Sequence, residues 1–169
     1  MFKPSPTEYA PYFENYIKLV DDLPLAENLE LSFEESFQFF FKIPKYKWDY
    51  AYEDGKWTIK EILVHIIDTE WVFAYRALRF SRRDKASLPG FDQDLFVTNA
   101  DYSNVSPNKL LEEWSNLRKA TKLLFSGFSS AQLELTGVAD KKPMSVRAAG
   151  FILIGHPIHH QNIIDERYL

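Results

Sequence analysis

The chain has 169 residues, of which 46% are hydrophobic and 26% are charged, and its formal net charge at pH 7 is −4. This length and composition are typical of one soluble globular domain with a sizeable core, so we expect a single domain over residues 1–169. Acidic and basic residues are interspersed. No run of lysine and arginine offers the basic surface that nucleic acid requires, so no nucleic-acid partner is expected.

The chain contains no cysteine. This excludes disulfides, thiolate zinc ligands and a cysteine nucleophile, so any metal must be bound by His, Asp or Glu, and any reacting thiol must come from outside. The N-terminal segment lacks the apolar run of a signal peptide, and the longest apolar run, residues 148–154, is far too short to cross a membrane. We therefore expect a cytoplasmic protein without a membrane partner.

The spacing of apolar residues predicts a series of amphipathic helices. The predicted helices cover residues 8–20, 25–42, 59–82, 107–125 and 145–169. Thr58 and Glu61 form a predicted capping box at the start of the third. Loops are expected around residues 88–94 and 128–144, the latter with one short helical turn, and no strand is predicted. The last four helices are the principal ones, and their long connections predict an all-α four-helix bundle.

The C-terminal helix carries the most informative residues. His156 and His160 lie four residues apart, on the stripe of this helix that should face the core. Burying two imidazoles there is unfavourable unless their nitrogens find partners, and a divalent metal suits two histidines one turn apart. His159 lies to one side, as a surface or neighbouring residue. Pro157 removes a helical hydrogen bond and presses on the carbonyl of Leu153, which predicts a kink beside His156.

A third histidine lies on another helix. His65 is on the polar stripe of the helix over residues 59–82, where a solvated surface position is the alternative to a ligand role. Together with His156 and His160 it could bind one divalent ion and leave coordination positions open for water or substrate. Asp68, one turn from His65, could orient a ligand, bind the metal or act as a base. Imidazole ligands suit zinc, nickel, copper and iron, so the sequence leaves the metal open.

Three segments also carry a resemblance to a known family. They are KWTIKEILVHIIDTEWVFAYRALRFSRRD, LPGFDQDLFV and SVRAAGFILIGHPIHHQNIIDERYL. In this order they resemble the DinB-like family of metal-binding four-helix bundles, most closely its bacillithiol S-transferase type. The resemblance extends from about Tyr9 to the last residue. It implies that His65, His156 and His160 bind a divalent metal, that the protein is a homodimer and that it acts on a small molecule.

Four hypotheses follow. The first is an enzyme that transfers a low-molecular-weight thiol to an electrophile, the metal lowering the pKa of the thiol. Asp68 would accept the proton, and Arg76 and Arg147 would contact an anionic thiol cofactor, although a solvated position is the alternative for each arginine. The second is a metal-dependent hydrolase, which needs the same ligands. The third is a bundle that stores, senses or is stabilised by metal without catalysis, and the fourth is a histidine-containing core without metal.

Overall fold

The structure, a computed structural model, describes residues 3–169. Within that range the chain forms seven α-helices and two short strands. These are α1 (Glu14–Ile17), α2 (Leu25–Phe41), α3 (Ile59–Ser81), α4 (Gln93–Asn99), α5 (Pro107–Ser126), α6 (Ser130–Leu133), β1 (Thr136–Ala139), β2 (Lys142–Ser145) and α7 (Val146–Arg167).

The four long helices form the predicted all-α bundle. Helix α7 packs against α1, α2 and α3, while α5 packs against α2 and α3. Two apolar clusters fill the interior, one around the first half of α7 and one between α3 and α5. Phe151 at the centre of the first and Trp114 at the centre of the second are both fully buried. None of the described helices combines the length and the apolarity needed to cross a membrane.

The starts of the bundle helices follow local sequence signals. At α3 the predicted capping box is present, since Glu61 N donates to Thr58 Oγ1 at 3.2 Å and Thr58 N donates to Glu61 Oε2 at 2.7 Å. At α7 only one of the two bonds is present, since Ser145 Oγ accepts from Ala148 N at 3.0 Å and alanine has no side chain to return a bond. These caps satisfy amide groups that would otherwise lack partners, and they determine where the helices begin.

The predicted helix over residues 8–20 is wrong. The segment instead forms two short 3₁₀ turns, Pro6–Glu8 and Pro11–Phe13, before the single turn of α1. Pro11 lacks an N–H and holds the preceding residue, Ala10, in an extended conformation with ψ of 143°, so the helical pattern is interrupted there.

The prediction of no strand is also wrong. Strands β1 and β2 pair in antiparallel fashion from Thr136↔Ser145 to Ala139↔Lys142. Asp140 and Lys141 form the turn between them, and both have positive φ. Four-residue strands are too short to show a period-two pattern, which explains why the spacing of apolar residues did not indicate them. Helix α4, in and after the predicted loop, was likewise not expected.

Candidate metal centre

The three predicted histidines meet at the interface of α3 and α7. His65 projects from α3, and His156 and His160 project from successive turns of α7. His156 Nε2 lies 3.0 Å from His65 Nε2 and 3.0 Å from His160 Nε2. One ligand atom from each of the three residues lies within 4.8 Å of the others. We call this group the three-histidine centre.

The donor set fits a metal ion. Each imidazole nitrogen can make only one in-plane interaction, yet His156 Nε2 faces two other nitrogens at hydrogen-bonding distance. A direct hydrogen bond could satisfy one of these contacts but not both. Tetrahedral ligands at about 2.0–2.1 Å from a zinc ion would be separated from one another by roughly 3.3 Å, close to the observed spacing. A single divalent cation would therefore give all three nitrogens a partner.

Burial favours the protonation state that ligation requires. His65 is 3% exposed and His156 is 4% exposed, while His160 is half-buried. Burial lowers the pKa of His65 to about 4. The pKa of His156 and that of His160 lie well below the usual value, first because of burial and then because of the neighbouring histidines. All three rings are thus neutral at pH 7, and neutral imidazole is the form that binds metal.

Aromatic rings enclose the centre on two sides. The ring centroid of Trp57 lies 4.8 Å from that of His65. On the other side Tyr16 of α1 presents its ring in edge contact with His156, at 5.3 Å between centroids, and with His159, at 5.2 Å. His159 is beside His160 but does not belong to the group of converging nitrogens, which agrees with the neighbouring position expected for it.

A surface groove is lined in part by His160 of the centre. It has a volume of about 280 Å³, and its walls include His160, Trp57, Tyr52, Tyr168 and Asp94. A larger cavity of about 760 Å³ lies between α2, α5 and α6, but none of the three histidines lines it. The smaller groove therefore reaches one histidine of the centre, His160, and we call it the His160 groove.

Two residues of this site are not among the sequence-predicted ones. Trp57 directly precedes the capping residue Thr58, and this local signal places it at the start of α3, within reach of His65. The second is Asp94, whose position in a predicted loop indicates that its carboxylate caps backbone amides. That role belongs to Asp92, whose Oδ1 accepts from Leu95 N at 3.0 Å, whereas Asp94 lines the His160 groove.

Asp68, the predicted base, is half-buried on α3. Its pKa is raised by burial and then by the negative charge of Glu113 on α5. Asp68 thus interacts electrostatically with α5, while His65 points to α7. Its predicted role as a proton acceptor stays a prediction.

The two predicted cofactor-binding arginines have partners within the protein. Arg76 is buried, donates from Nη2 to Pro89 O at 3.2 Å and lies over the Phe73 ring at 4.8 Å from its centroid. Arg147 forms an ion pair with Glu8, with a distance of 2.6 Å from Nε to Oε2. The pKa of Arg147 is accordingly raised, mainly by this hydrogen bond. Contact of either arginine with a thiol cofactor stays a prediction.

The fold and the site define a class of protein, an all-α bundle with a buried group of three histidines suited to a divalent metal. The sequence model described as the DinB superfamily matches residues 28–164. The chain belongs to the DinB superfamily. No curated protein matches the chain in sequence.

Two solved structures share the fold. The chain is similar to YfiT from Bacillus subtilis, described as a probable metal-dependent hydrolase with an unusual four-helix bundle topology. The TM-score is 0.67 at 16% identity, covering 98% of this chain and 90% of that one. It is also similar to a mycothiol-dependent maleylpyruvate isomerase, with a TM-score of 0.67 at 10% identity, over 83% of this chain and 60% of that one. At these identities the likeness concerns the fold.

Proposed function

We propose that this protein is a divalent-metal-dependent enzyme that transfers a low-molecular-weight thiol to an electrophilic small molecule. The observation that carries the proposal is the convergence of three neutral, buried Nε2 atoms from α3 and α7. His65, His156 and His160 would hold the ion. Three protein ligands leave a coordination position open, which is the arrangement of catalytic rather than structural metal sites.

The remaining residues suit thiol transfer to a small molecule. A bound divalent cation would supply the Lewis acidity that lowers the pKa of an incoming thiol. The thiol would be external because the chain has no cysteine. The His160 groove has room for a small substrate, with aromatic walls on which a flat or apolar group could pack. Asp68, one turn from His65 on α3, is our candidate for the group that accepts the thiol proton.

A metal-dependent hydrolase is the second candidate. The likeness to YfiT, described as a probable metal-dependent hydrolase, favours it because that likeness covers nearly all of both chains. The same three histidines would serve, with water in place of the thiol. Both proposals place the protein in the cytoplasm, the location expected from the sequence. Both also include a homodimer, which the resemblance to the DinB-like family supports.

The first experiment measures the metal content of untagged protein by inductively coupled plasma mass spectrometry. Wild type, His160→Ala and the matched control His159→Ala are compared, since His159 adjoins the centre without joining it. We expect about one divalent ion per chain in wild type and in His159→Ala, and none in His160→Ala. Wild type that holds no metal after reloading and dialysis would contradict both proposed functions.

Activity then separates the two candidates. Metal-loaded protein is supplied with a reactive electrophile and a panel of low-molecular-weight thiols, and in parallel with activated esters and no thiol. A rate that requires both thiol and metal, and is absent in His160→Ala, supports thiol transfer. Ester turnover without thiol supports the hydrolase instead and contradicts the first proposal.

A further inference from the structure

An unusual backbone contact lies one turn before the metal ligands of α7. In a regular helix the carbonyl of Leu153 would accept from the N–H of residue 157, but that residue is proline and has no N–H. Arg118 of α5 supplies the missing donor, its Nη2 lying 3.1 Å from Leu153 O. Leu153 is 2% exposed and Arg118 is 1% exposed, so this contact is buried away from bulk solvent. The helical turn that contains Leu153 and Pro157 is thus contacted by a side chain from another helix.

The guanidinium of Arg118 is itself held firmly. Its Nε donates to Glu70 Oε1 at 2.8 Å and its Nη2 donates to Glu70 Oε2 at 2.8 Å, a bidentate pair with both side chains 1% exposed. Trp114 Nε1 donates to the same Oε2 at 3.0 Å. A bidentate pair of this kind fixes the plane as well as the position of the guanidinium. Since Glu70 belongs to α3, the contacts connect α3, α5 and α7.

These contacts join the two helices that carry the histidines. His65 lies five residues before Glu70 on α3, and His156 lies three residues after Leu153 on α7. We propose that Arg118 is a positioning residue for the three-histidine centre, setting the separation of the His65 and His156 nitrogens by holding Leu153 O, the carbonyl that Pro157 leaves without a helical donor. The inference rests on the proposed function, since it concerns the binding of the metal.

Stability alone is a poor explanation for this arrangement. A buried ion pair carries a large desolvation cost, and replacing such a pair with apolar residues of similar volume is often neutral or stabilising. The neighbouring interior is apolar and would accommodate such a replacement. What apolar residues could not provide is a hydrogen-bond donor for Leu153 O. The specific contribution of Arg118 is therefore to the geometry of the helical turn that contains Leu153, His156 and Pro157.

The test removes the donor without leaving a buried carboxylate unpaired. In the double variant Glu70→Gln/Arg118→Met, the amide oxygen introduced at position 70 can still accept from Trp114 Nε1, while Leu153 O loses Arg118. Zinc affinity is measured by competition with a chromophoric chelator, and ligand geometry by the visible spectrum of the cobalt(II)-loaded protein. We expect zinc binding at least about tenfold weaker than in wild type, with an altered cobalt spectrum, as for other residues that orient metal ligands.

Rescue distinguishes this role from general stabilisation. Adding Pro157→Ala restores an N–H at position 157, which can donate to Leu153 O within the helix. We expect the triple variant to regain most of the lost zinc affinity, whereas Pro157→Ala alone should bind zinc much as wild type does. If the double variant does not fold, Arg118→Lys is used, because one ammonium cannot reproduce the fixed fork that contacts both Glu70 and Leu153 O.

The matched control is Arg79→Met/Asp84→Asn, which removes an arginine–carboxylate pair at the end of α3 whose side-chain hydrogen bonds are to each other, to Tyr75 and to the backbone of Ala86, not to α7. Its zinc affinity should equal that of wild type. A folded Glu70→Gln/Arg118→Met or Arg118→Lys variant with wild-type affinity and cobalt spectrum would overturn the positioning role alone. Failure of Pro157→Ala to restore affinity would overturn the route through Leu153 O. Failure of wild type to bind zinc would overturn the proposed function and the positioning role together.

Discussion

Gly155 lies immediately before His156, where α7 packs closely against the backbone of α1. A Cβ atom at this position would lie 2.1 Å from Tyr16 O and 2.6 Å from Tyr16 C. Ordinary van der Waals contacts of a Cβ begin at 3.4 Å, so the methyl group of Gly155→Ala would be too close by about 1.3 Å. The position of a Cβ is fixed by its own backbone, and the Tyr16 atoms that it would meet are also backbone, so no side-chain rotation can relieve the contact. Either α1 or α7 must move.

The expected cost follows from two opposing effects. In a helix interior alanine is more favourable than glycine by about 1 kcal/mol. Overpacking a well-filled interior costs about 1–3 kcal/mol, and the upper end applies here because backbone must shift. We therefore expect Gly155→Ala to lower the free energy of unfolding by about 2 kcal/mol, which for a chain of this length corresponds to a Tm lower by about 4–8 °C.

Urea and thermal unfolding, followed by circular dichroism in the presence of a chelator, measure this effect without a contribution from metal. Gly127→Ala is the control, because its Cβ would meet Leu124 O at 3.5 Å and Leu123 O at 3.6 Å, both ordinary contacts. We expect the control to stay within about 0.5 kcal/mol of wild type. A Gly155→Ala protein as stable as wild type would refute the close packing of α7 on α1.

Two further predictions concern the centre itself. In the unfolded chain His65 has its ordinary pKa of 6.5, whereas burial lowers its pKa in the folded chain to about 4. Between these two pH values the unfolded chain binds a proton that the folded chain does not, so the free energy of unfolding of the metal-free protein should fall by about 3 kcal/mol as the pH drops from 6.5 to 4. Above about pH 7 His65 is neutral in both states and makes no such contribution. Urea unfolding at pH 7 and pH 4.5 should show that the free energy of unfolding changes less with pH in His65→Gln than in wild type. The same change in both proteins would contradict the burial of His65. Bound cobalt(II) should quench tryptophan emission mainly through Trp57, whose ring lies 4.8 Å from that of His65; equal quenching in Trp57→Phe would place the ion elsewhere.

Local signals in the sequence determined much of the bundle. The capping box of Thr58 and Glu61 and the apolar spacing that follows it predict α3 almost to its last residue, because both depend only on residues within a turn of each other. The same holds for His156 and His160, since a separation of four residues puts two side chains on one helix face wherever the helix lies. Short elements carry weaker signals, and the strands β1 and β2 were missed for that reason.

The tertiary structure decided which helix faces meet. His65 lies on a polar stripe, and helical spacing alone permits a solvated position there as readily as a cleft. Its burial follows from the packing of α3 on α7, which brings it to His156 across 91 residues of chain. From Pro157 the sequence shows that the carbonyl of Leu153 lacks its helical donor. It does not show that Arg118, 35 residues before Leu153, supplies the donor instead. The helical repeat determines which side chains share one face of a helix. Which other helix that face packs against depends on contacts between residues far apart in the chain.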